Sequence, residues 1–238
     1  MRIAGIIGTT LLDYPGRIAC VVFMAGCDLR CPFCQNPDLV LRPSELPALP
    51  LADLLADLER RRRLVDGLVI SGGEPLLHDL APLLEPARQL GYAVKVDTNG
   101  AHPDRLRDLL AAGLVDMVSL DVKTAPARYP DLGGPAAGEG IWDRVLESVR
   151  VTLEAGRDLE TRTTVVPGWV DADAVDAIAA ALGELGVARH MLQQFQAEHC
   201  LDEALRAAEP LPAAELEALA ERARAHLPDV AIRGLKVE

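Results

Sequence analysis

Short apolar runs alternate with longer amphipathic stretches along most of the chain. The runs are rich in Val, Ile and Leu and end at Gly, Asp or Pro, which is typical of buried strands. The predicted strands cover residues 19–24, 67–70, 93–96, 115–120, 159–166, 189–195 and 230–233. Between them apolar residues recur at helical spacing. The first predicted helix begins near residue 51. Five later helices are predicted over about 79–90, 103–112, 141–156, 171–185 and 212–226.

This pattern has strand and helix alternating at least six times, an order that favours a parallel α/β sheet. The chain has 238 residues, half of them hydrophobic, which is enough for one large domain with a substantial core. Only 3% of the residues are aromatic, so we expect that core to consist mostly of Leu, Val, Ile and Ala. No internal repeat or domain boundary interrupts the pattern, and we expect one domain over residues 1–238.

Charge and cysteine content narrow the class of protein. The formal net charge of −12 argues against non-specific nucleic-acid binding, because that binding depends on Lys and Arg. No apolar run approaches the roughly 20 residues that cross a bilayer, and the N-terminus lacks the features of a signal peptide. Five cysteines, three of them crowded together, fit a reducing compartment and a metal better than disulfides. We therefore expect a cytoplasmic protein that binds neither nucleic acid nor membrane.

The three crowded cysteines are Cys27, Cys31 and Cys34, which directly follow the first predicted strand. Three thiolates on one tight loop can hold three irons of a [4Fe–4S] cluster and leave the fourth iron open to a substrate. The alternative is a structural zinc, which needs four ligands. Cys20, His78 or Cys200 would have to supply the fourth, and no second C-x2-C pair exists. The spacing favours the cluster over zinc, although sulfur sites admit both metals.

Polar residues also follow several of the predicted strands. Gly72, Gly73 and Glu74 end the second strand, and the two glycines would let the backbone approach a ligand closely. Asp97 and Asp121 end the next two strands. Such residues can be simple caps and turn formers. Their recurrence at the same end of consecutive strands is nevertheless what a barrel active site requires.

These motifs together resemble the radical S-adenosylmethionine (SAM) enzymes. The resemblance begins with the C-x3-C-x2-C spacing, with Phe33 just before the third cysteine, and includes the Gly-Gly-Glu turn. The fuller pattern is most similar to the activases of glycyl-radical enzymes, and among them to the anaerobic ribonucleoside-triphosphate reductase activating proteins. It covers roughly residues 10–200, and its further motifs are the stretches 13–16, 97–99, 121–123, 162–168 and 192–195.

The resemblance implies a fold and a set of site residues. The fold would be a partial (β/α)6 TIM-like barrel of parallel strands, open on one side. Its core would span about residues 17–200, and a C-terminal helix and strand would follow in residues 201–238. Cys27, Cys31 and Cys34 would bind the [4Fe–4S] cluster. The implied SAM contacts are Phe33, the Gly72-Gly73-Glu74 backbone at the amino end, Asn99 at the sugar, Lys123 at the carboxylate, and Arg162 inside the barrel. In some members an alkali cation shares the site, which implies Asp97, Thr98 and Asp121 as its ligands.

The resemblance also implies the reaction. A reduced cluster would give one electron to SAM, and the resulting 5′-deoxyadenosyl radical would take a hydrogen atom from a backbone glycine of a partner reductase. An electron donor such as flavodoxin or ferredoxin would be needed. Two alternatives stay open: a radical SAM enzyme that acts on a small molecule, similar to 7-carboxy-7-deazaguanine synthase, and a binding module that a metal stabilises.

One stretch, residues 129–140, is rich in Gly and Pro and breaks the strand–helix pattern. Its composition predicts either a mobile loop over the barrel mouth or a linker between a strand and the next helix.

Overall fold

The computed structural model describes residues 1–235 and contains one open sheet of eight strands in sequential order, β1 to β8. All neighbouring strands are parallel except β1, which pairs antiparallel with β2. The strands are β1 Ile3–Thr10, β2 Ala19–Met24, β3 Gly67–Gly72, β4 Ala93–Thr98, β5 Met117–Asp121, β6 Asp158–Val165, β7 Arg189–Gln194 and β8 Asp229–Arg233.

Helices connect the consecutive parallel strands. They are α1 Pro37–Leu41, α2 Leu51–Arg61, α3 Ala81–Gln89, α4 Pro103–Ala111, α5 Ile141–Glu154, α6 Ala172–Glu184 and α7 Ala213–Arg224. Short 3₁₀ turns lie at Pro75–Leu77, Pro126–Leu132 and Glu203–Ala207. Within residues 1–235, no helix is both long enough and apolar enough to cross a membrane.

The sequential strand order confirms the predicted α/β fold with a barrel-like, open arrangement of parallel strands. Every predicted strand and helix is present, with boundaries that differ by a few residues. The sequence pattern missed β1, which lies at the edge of the sheet. Gly5 and Gly8 interrupt its apolar residues, and most of its side chains are half-buried or exposed, so it lacks the signal of a buried strand.

The two faces of the sheet carry different residues. Side chains such as Val22, Ile70 and Val118 belong to the large apolar core that also contains the helices. The opposite face has only a small apolar cluster, at the beginning of the strands, which includes Val21, Val69 and Met117. Further along the same face the strands carry charged residues. The fold therefore gathers polar groups at the carboxyl end of the sheet, where parallel α/β folds bind their ligands.

Candidate functional site

The three clustered cysteines lie on the loop that leaves β2 at the carboxyl end of the sheet. Cys31 is buried, and Cys27 and Cys34 are half-buried. The loop is held by its own backbone, since Cys34 N–H donates to Cys31 O at 3.0 Å. Burial raises the pKa of Cys27 to about 12 and that of Cys31 to about 11, so both thiols are neutral until a metal displaces their protons.

A structural zinc would need a fourth ligand beside the three thiols, whereas each thiolate of a cluster binds a different iron. The candidates for that fourth ligand have other surroundings. Cys20 pairs with the start of β3, about 13 Å along β2 from the loop. His78 is held by a contact of 2.9 Å between its Nε2 and Ala25 O.

Cys200 lies closer to the loop but has other partners. It is fully buried, its thiol donates to Gln196 O at 3.5 Å, and Gln35 Nε2 donates to its Sγ at 3.4 Å. The segment after β7 is therefore fastened to the cysteine loop, as is also shown by the hydrogen bond from Asp202 N–H to Pro32 O at 2.8 Å. Both contacts give Cys200 a packing role beside the loop.

The Gly-Gly-Glu turn at the end of β3 is joined directly to the cysteine loop. Gly73 N–H donates to Met24 O, and Glu74 N–H donates to Gly26 O, both at 2.8 Å. The two predicted motifs thus form one continuous backbone structure. The Glu74 side chain points away from solvent and is fully buried.

Buried Glu74 organises the end of the neighbouring strand β4. Its carboxylate accepts hydrogen bonds from Leu76 N–H at 3.0 Å, Thr98 Oγ1 at 2.8 Å and Asn99 N–H at 2.7 Å. Burial raises the pKa of Glu74 to about 7, while these donors favour the charged form. The Thr98 hydroxyl is consequently directed to Glu74, and Glu74 sets the backbone position of Asn99.

The Asn99 side chain connects this turn back to the cysteine loop. Its Nδ2 donates to Asp28 Oδ1 at 3.1 Å, and His102 Nε2 lies 2.7 Å from Asp28 Oδ2. The hydrogen bond that His102 makes to the Asp28 carboxylate raises the pKa of His102, despite the opposing effect of burial. Asp28 and His102 were not among the site residues predicted from the sequence. The position of Asp28 between two cysteines was the available signal.

A charge network lies beside this loop, on the face of the sheet that also carries the small apolar cluster of Val21, Val69 and Met117. We call this the inner face of the sheet. Asp121 accepts from Lys123 Nζ and from Arg162 Nε, each at 2.8 Å. Arg162 also reaches Asp97, with 3.6 Å between Nη1 and Oδ2. The structure thus brings together the four predicted charged residues Asp97, Asp121, Lys123 and Arg162, which come from three consecutive strands and the loop after β5.

The network contains a further cation, Lys95, that the sequence analysis missed. Its side chain is only 2% exposed, and its Nζ lies 2.6 Å from Asp97 Oδ1. Ser71 Oγ donates to the other Asp97 oxygen at 3.1 Å. The signal in the sequence was a lysine two residues before Asp97 within an apolar strand, since that spacing places both side chains on one face.

The network keeps Asp121, Lys123 and Arg162 charged. Burial by itself opposes ionisation, but Arg162 and Lys123 outweigh it and hold the pKa of Asp121 well below its usual range. Burial likewise opposes the positive charges, and the nearby Asp121 carboxylate nevertheless raises the pKa of Lys123 and of Arg162. Lys123 also lowers the pKa of Cys31, against the larger effect of burial.

Phe33, the aromatic residue before the third cysteine, is buried against the turn after β6. Its ring packs edge-on to Trp169, with 5.7 Å between ring centroids. The Arg128 guanidinium lies over the Trp169 ring, at 4.3 Å from the ring centroid. The aromatic pair therefore links the cysteine loop to the Pro-Gly-Trp turn.

The stretch 129–140 connects β5 to α5, as the prediction of a linker between a strand and the next helix has it, and it also packs on the cysteine loop. Arg30 N–H donates to Gly133 O, and Ala136 N–H donates to Asp28 O, both at 3.0 Å. Tyr129 is fully buried, and its hydroxyl accepts from Lys123 N–H at 3.0 Å. The composition did not predict this packing, because here glycine is needed for close contact between two segments. A Cβ on Gly134 would stand 2.5 Å from Asp28 O.

Comparison with known proteins identifies relatives of this chain. The family model of the radical SAM superfamily matches residues 21–181. A Methanocaldococcus jannaschii protein provisionally named a glycyl-radical enzyme activating enzyme is 30% identical over 97% of this chain and 95% of its own length. A pyruvate formate-lyase-activating enzyme of Clostridium pasteurianum is 36% identical over 51% of this chain and 52% of its own. A 7-carboxy-7-deazaguanine synthase of Hyperthermus butylicus is 35% identical over 49% and 48%, respectively.

Solved structures share the fold. The enzyme SuiB of Streptococcus suis, in complex with the precursor peptide SuiA, superposes with a TM-score of 0.68 over 90% of this chain and 48% of that chain. The identity is 18%, so this similarity concerns the fold alone.

Proposed function

Because the chain belongs to the radical SAM superfamily, we propose that it is an activase that generates a glycyl radical on a partner enzyme, the anaerobic ribonucleoside-triphosphate reductase. The observation that carries this proposal is the match over nearly the full length of both chains, 97% and 95%, to a protein named as a glycyl-radical enzyme activating enzyme. The match to a pyruvate formate-lyase-activating enzyme supports the same class.

The cofactors in this proposal are SAM and a [4Fe–4S] cluster held by Cys27, Cys31 and Cys34. Once bound, the cluster would supply one electron, received from a donor of the flavodoxin or ferredoxin class, for the reductive cleavage of SAM. The expected products are methionine, 5′-deoxyadenosine and a glycyl radical on the partner, whose glycine would lose one hydrogen atom. The chemistry belongs to the cofactors, and the protein binds and orients them.

Different residues around the cysteine loop would bind different parts of SAM. The Gly72-Gly73-Glu74 backbone would meet its amino end, Asn99 its sugar and Lys123 its carboxylate, with Phe33 and Arg162 as further contacts. The cationic side chains of the inner face suit a carboxylate, because a charge-assisted hydrogen bond is stronger than a neutral one.

A protein substrate is compatible with the open sheet. Among residues 1–235, strands β1 and β8 are the two edges of the sheet and do not pair with each other. A sheet that does not close into a full barrel leaves room for a polypeptide segment beside the site. SuiB, which has the same fold, is known in complex with a peptide.

The proposal is tested with anaerobically reconstituted protein, SAM, a reductant and the anaerobic reductase encoded in the same genome. We expect cleavage of SAM that depends on the reductase and a glycine-centred doublet in electron paramagnetic resonance. A reductase whose radical-site glycine is replaced by Ala should give no doublet. Substrate-independent turnover together with no doublet on any reductase would contradict the activase assignment while leaving the superfamily assignment intact.

The second candidate is an enzyme that acts on a small molecule, as 7-carboxy-7-deazaguanine synthase does. It is favoured by local matches to such synthases at 35% identity, which cover only about half of each chain. If this alternative holds, the same reconstituted protein should form 7-carboxy-7-deazaguanine from the substrate of that synthase. If the activase proposal holds, it should form none.

A further inference from the structure

We propose that the buried ammonium group of Lys95 takes the place of an alkali cation in the SAM site of this chain, and that SAM binding here needs no K⁺ or Na⁺. The resemblance to the activases implied such a cation, with Asp97, Thr98 and Asp121 as ligands. The side chains present do not fit it. The inference concerns the binding of SAM and does not depend on which partner the protein activates.

The first observation is that the carboxylate oxygens are already engaged. Asp97 Oδ1 lies 2.6 Å from Lys95 Nζ, and Asp97 Oδ2 accepts from Ser71 Oγ at 3.1 Å. Asp121 Oδ1 accepts from Arg162 Nε and Asp121 Oδ2 from Lys123 Nζ, both at 2.8 Å. An alkali cation would have to displace one of these donors from a partly buried carboxylate.

The second observation concerns Thr98. Residues alternate between the faces of a strand, so the Thr98 side chain lies on the face opposite to Lys95 and Asp97. Its hydroxyl donates to Glu74 Oε1 at 2.8 Å and accepts from Gly100 N–H at 3.1 Å. The hydroxyl is therefore not available as a ligand on the face that carries the two aspartates.

The third observation is the balance of charge. Lys95, Lys123 and Arg162 face Asp97 and Asp121, so three cations are paired with two carboxylates. Two further pairs lie on this face within the described residues, Glu160 with Arg233 at 3.7 Å and Arg189 with Asp229 at 3.1 Å, and each joins one cation to one carboxylate. A fourth cation between the aspartates would meet repulsion in a partly desolvated place, whereas the carboxylate of SAM would be attracted.

Lys95 is suited to this role because its ammonium group is part of the chain and cannot dissociate from the site. It is 2% exposed, it emerges from the middle of β4, and its nearest acceptor is on the same strand two residues later. A bound alkali ion depends on its concentration in solution, whereas a lysine within the strand supplies the same charge at all times. The lysine is thus a positioning residue: it holds Asp97 in place and supplies the charge that Asp97 would otherwise take from a metal ion.

The test measures SAM binding to the reconstituted protein by calorimetry, with tetramethylammonium as the only cation and then with added K⁺ or Na⁺. The wild-type dissociation constant should change by less than about twofold between these buffers. In Lys95→Met, the affinity without alkali cations should fall roughly ten- to a hundred-fold, and K⁺ or Na⁺ should restore most of it. A purely structural role of Lys95 would give a loss that added K⁺ does not reverse.

Arg233→Met provides a matched control, because it removes another cation from the same face without exposing either aspartate. It should show no alkali dependence. The thermal midpoint of the protein without cluster or SAM gives a second measurement: K⁺ should raise it in Lys95→Met and leave it unchanged in the wild type. Tenfold tighter SAM binding by the wild type in K⁺ would overturn the proposal, and this result can be obtained even if Lys95→Met does not fold.

Discussion

Gly73 lies so close to Gly26 that a Cβ atom on Gly73 would stand 2.0 Å from the Gly26 carbonyl oxygen. The contact joins the turn after β3 to the beginning of the cysteine loop. Real Cβ atoms do not approach a backbone oxygen so closely, so the residue at this position has to be Gly. The glycines of the Gly-Gly-Glu turn are therefore required by the protein's own packing, before any ligand is considered.

Gly73→Ala should therefore displace the cysteine loop and lower both stability and iron loading. Overpacking of this kind typically costs about 1–3 kcal/mol, and here the obstacle is backbone, which cannot rotate away. Iron content after anaerobic reconstitution and thermal unfolding measure the two effects. Gly5→Ala is the control, since nothing lies within 4 Å of a Cβ at that position. Equal iron content in Gly73→Ala and wild type would show that the loop tolerates the displacement.

Replacement of each clustered cysteine should abolish the cluster. We expect Cys27→Ala, Cys31→Ala and Cys34→Ala to lose the brown colour and the four irons per chain that the [4Fe–4S] assignment requires. Cys20→Ala and Cys200→Ala should keep them, because Cys20 lies in the strand and Cys200 is engaged with Gln35 and Gln196. Iron and sulfide analysis separates the groups, and four irons in Cys31→Ala would disprove the ligand set.

Lys123→Ala should weaken SAM binding while the cluster still assembles. A charge-assisted hydrogen bond contributes about 1.5–3 kcal/mol, which corresponds to roughly ten- to a hundred-fold in affinity. Calorimetry on the reconstituted variant gives the dissociation constant, and its absorbance spectrum shows whether the cluster is present. Arg63→Ala removes an exposed cation elsewhere and should bind as the wild type does. Unchanged affinity in Lys123→Ala would remove this residue from the site.

His190 should make a destabilising contribution in acid. It is buried in β7, and its Nδ1 lies 2.8 Å from Thr161 Oγ1. Burial lowers the pKa of His190 to about 4, whereas an unfolded histidine has a pKa of about 6.5. Between these values the unfolded form of this histidine binds more protons, so its own contribution to the free energy of unfolding decreases as the pH falls from about 6.5 to 4. The loss attributable to this one group is up to about 3 kcal/mol. Glu74, whose pKa is raised to about 7 by burial, acts in the opposite sense.

His190→Gln keeps a hydrogen-bonding group for Thr161 but cannot titrate. Its free energy of unfolding, measured by urea denaturation at several pH values, should therefore fall less than that of the wild type as the pH decreases through this window. The exposed His226 offers the comparison, and His226→Gln should leave the profile unchanged. Parallel profiles for His190→Gln and wild type would mean that other groups cause the acid sensitivity.

The sequence by itself determined the strands β2 to β8, the helices α2 to α7, the cysteine loop and the polar residues at the strand ends. These features follow from short-range causes: the periodicity of apolar side chains and the spacing of residues close together in the chain. Strand alternation also places Asp97 on one face of β4, and it could have identified Lys95 on the same face.

Only the tertiary structure decided which of these residues are partners. Glu74 accepts from Asn99 N–H, Asp28 from His102, and Asp121 from Arg162, and each pair joins residues between 25 and 74 positions apart. It also decided that the Gly133-Gly134 stretch packs on the cysteine loop. Such contacts depend on how the strands align across the sheet, and no local pattern of residues carries that information. The sequence therefore supplied the chemical groups, and the register of the parallel strands decided which of them meet.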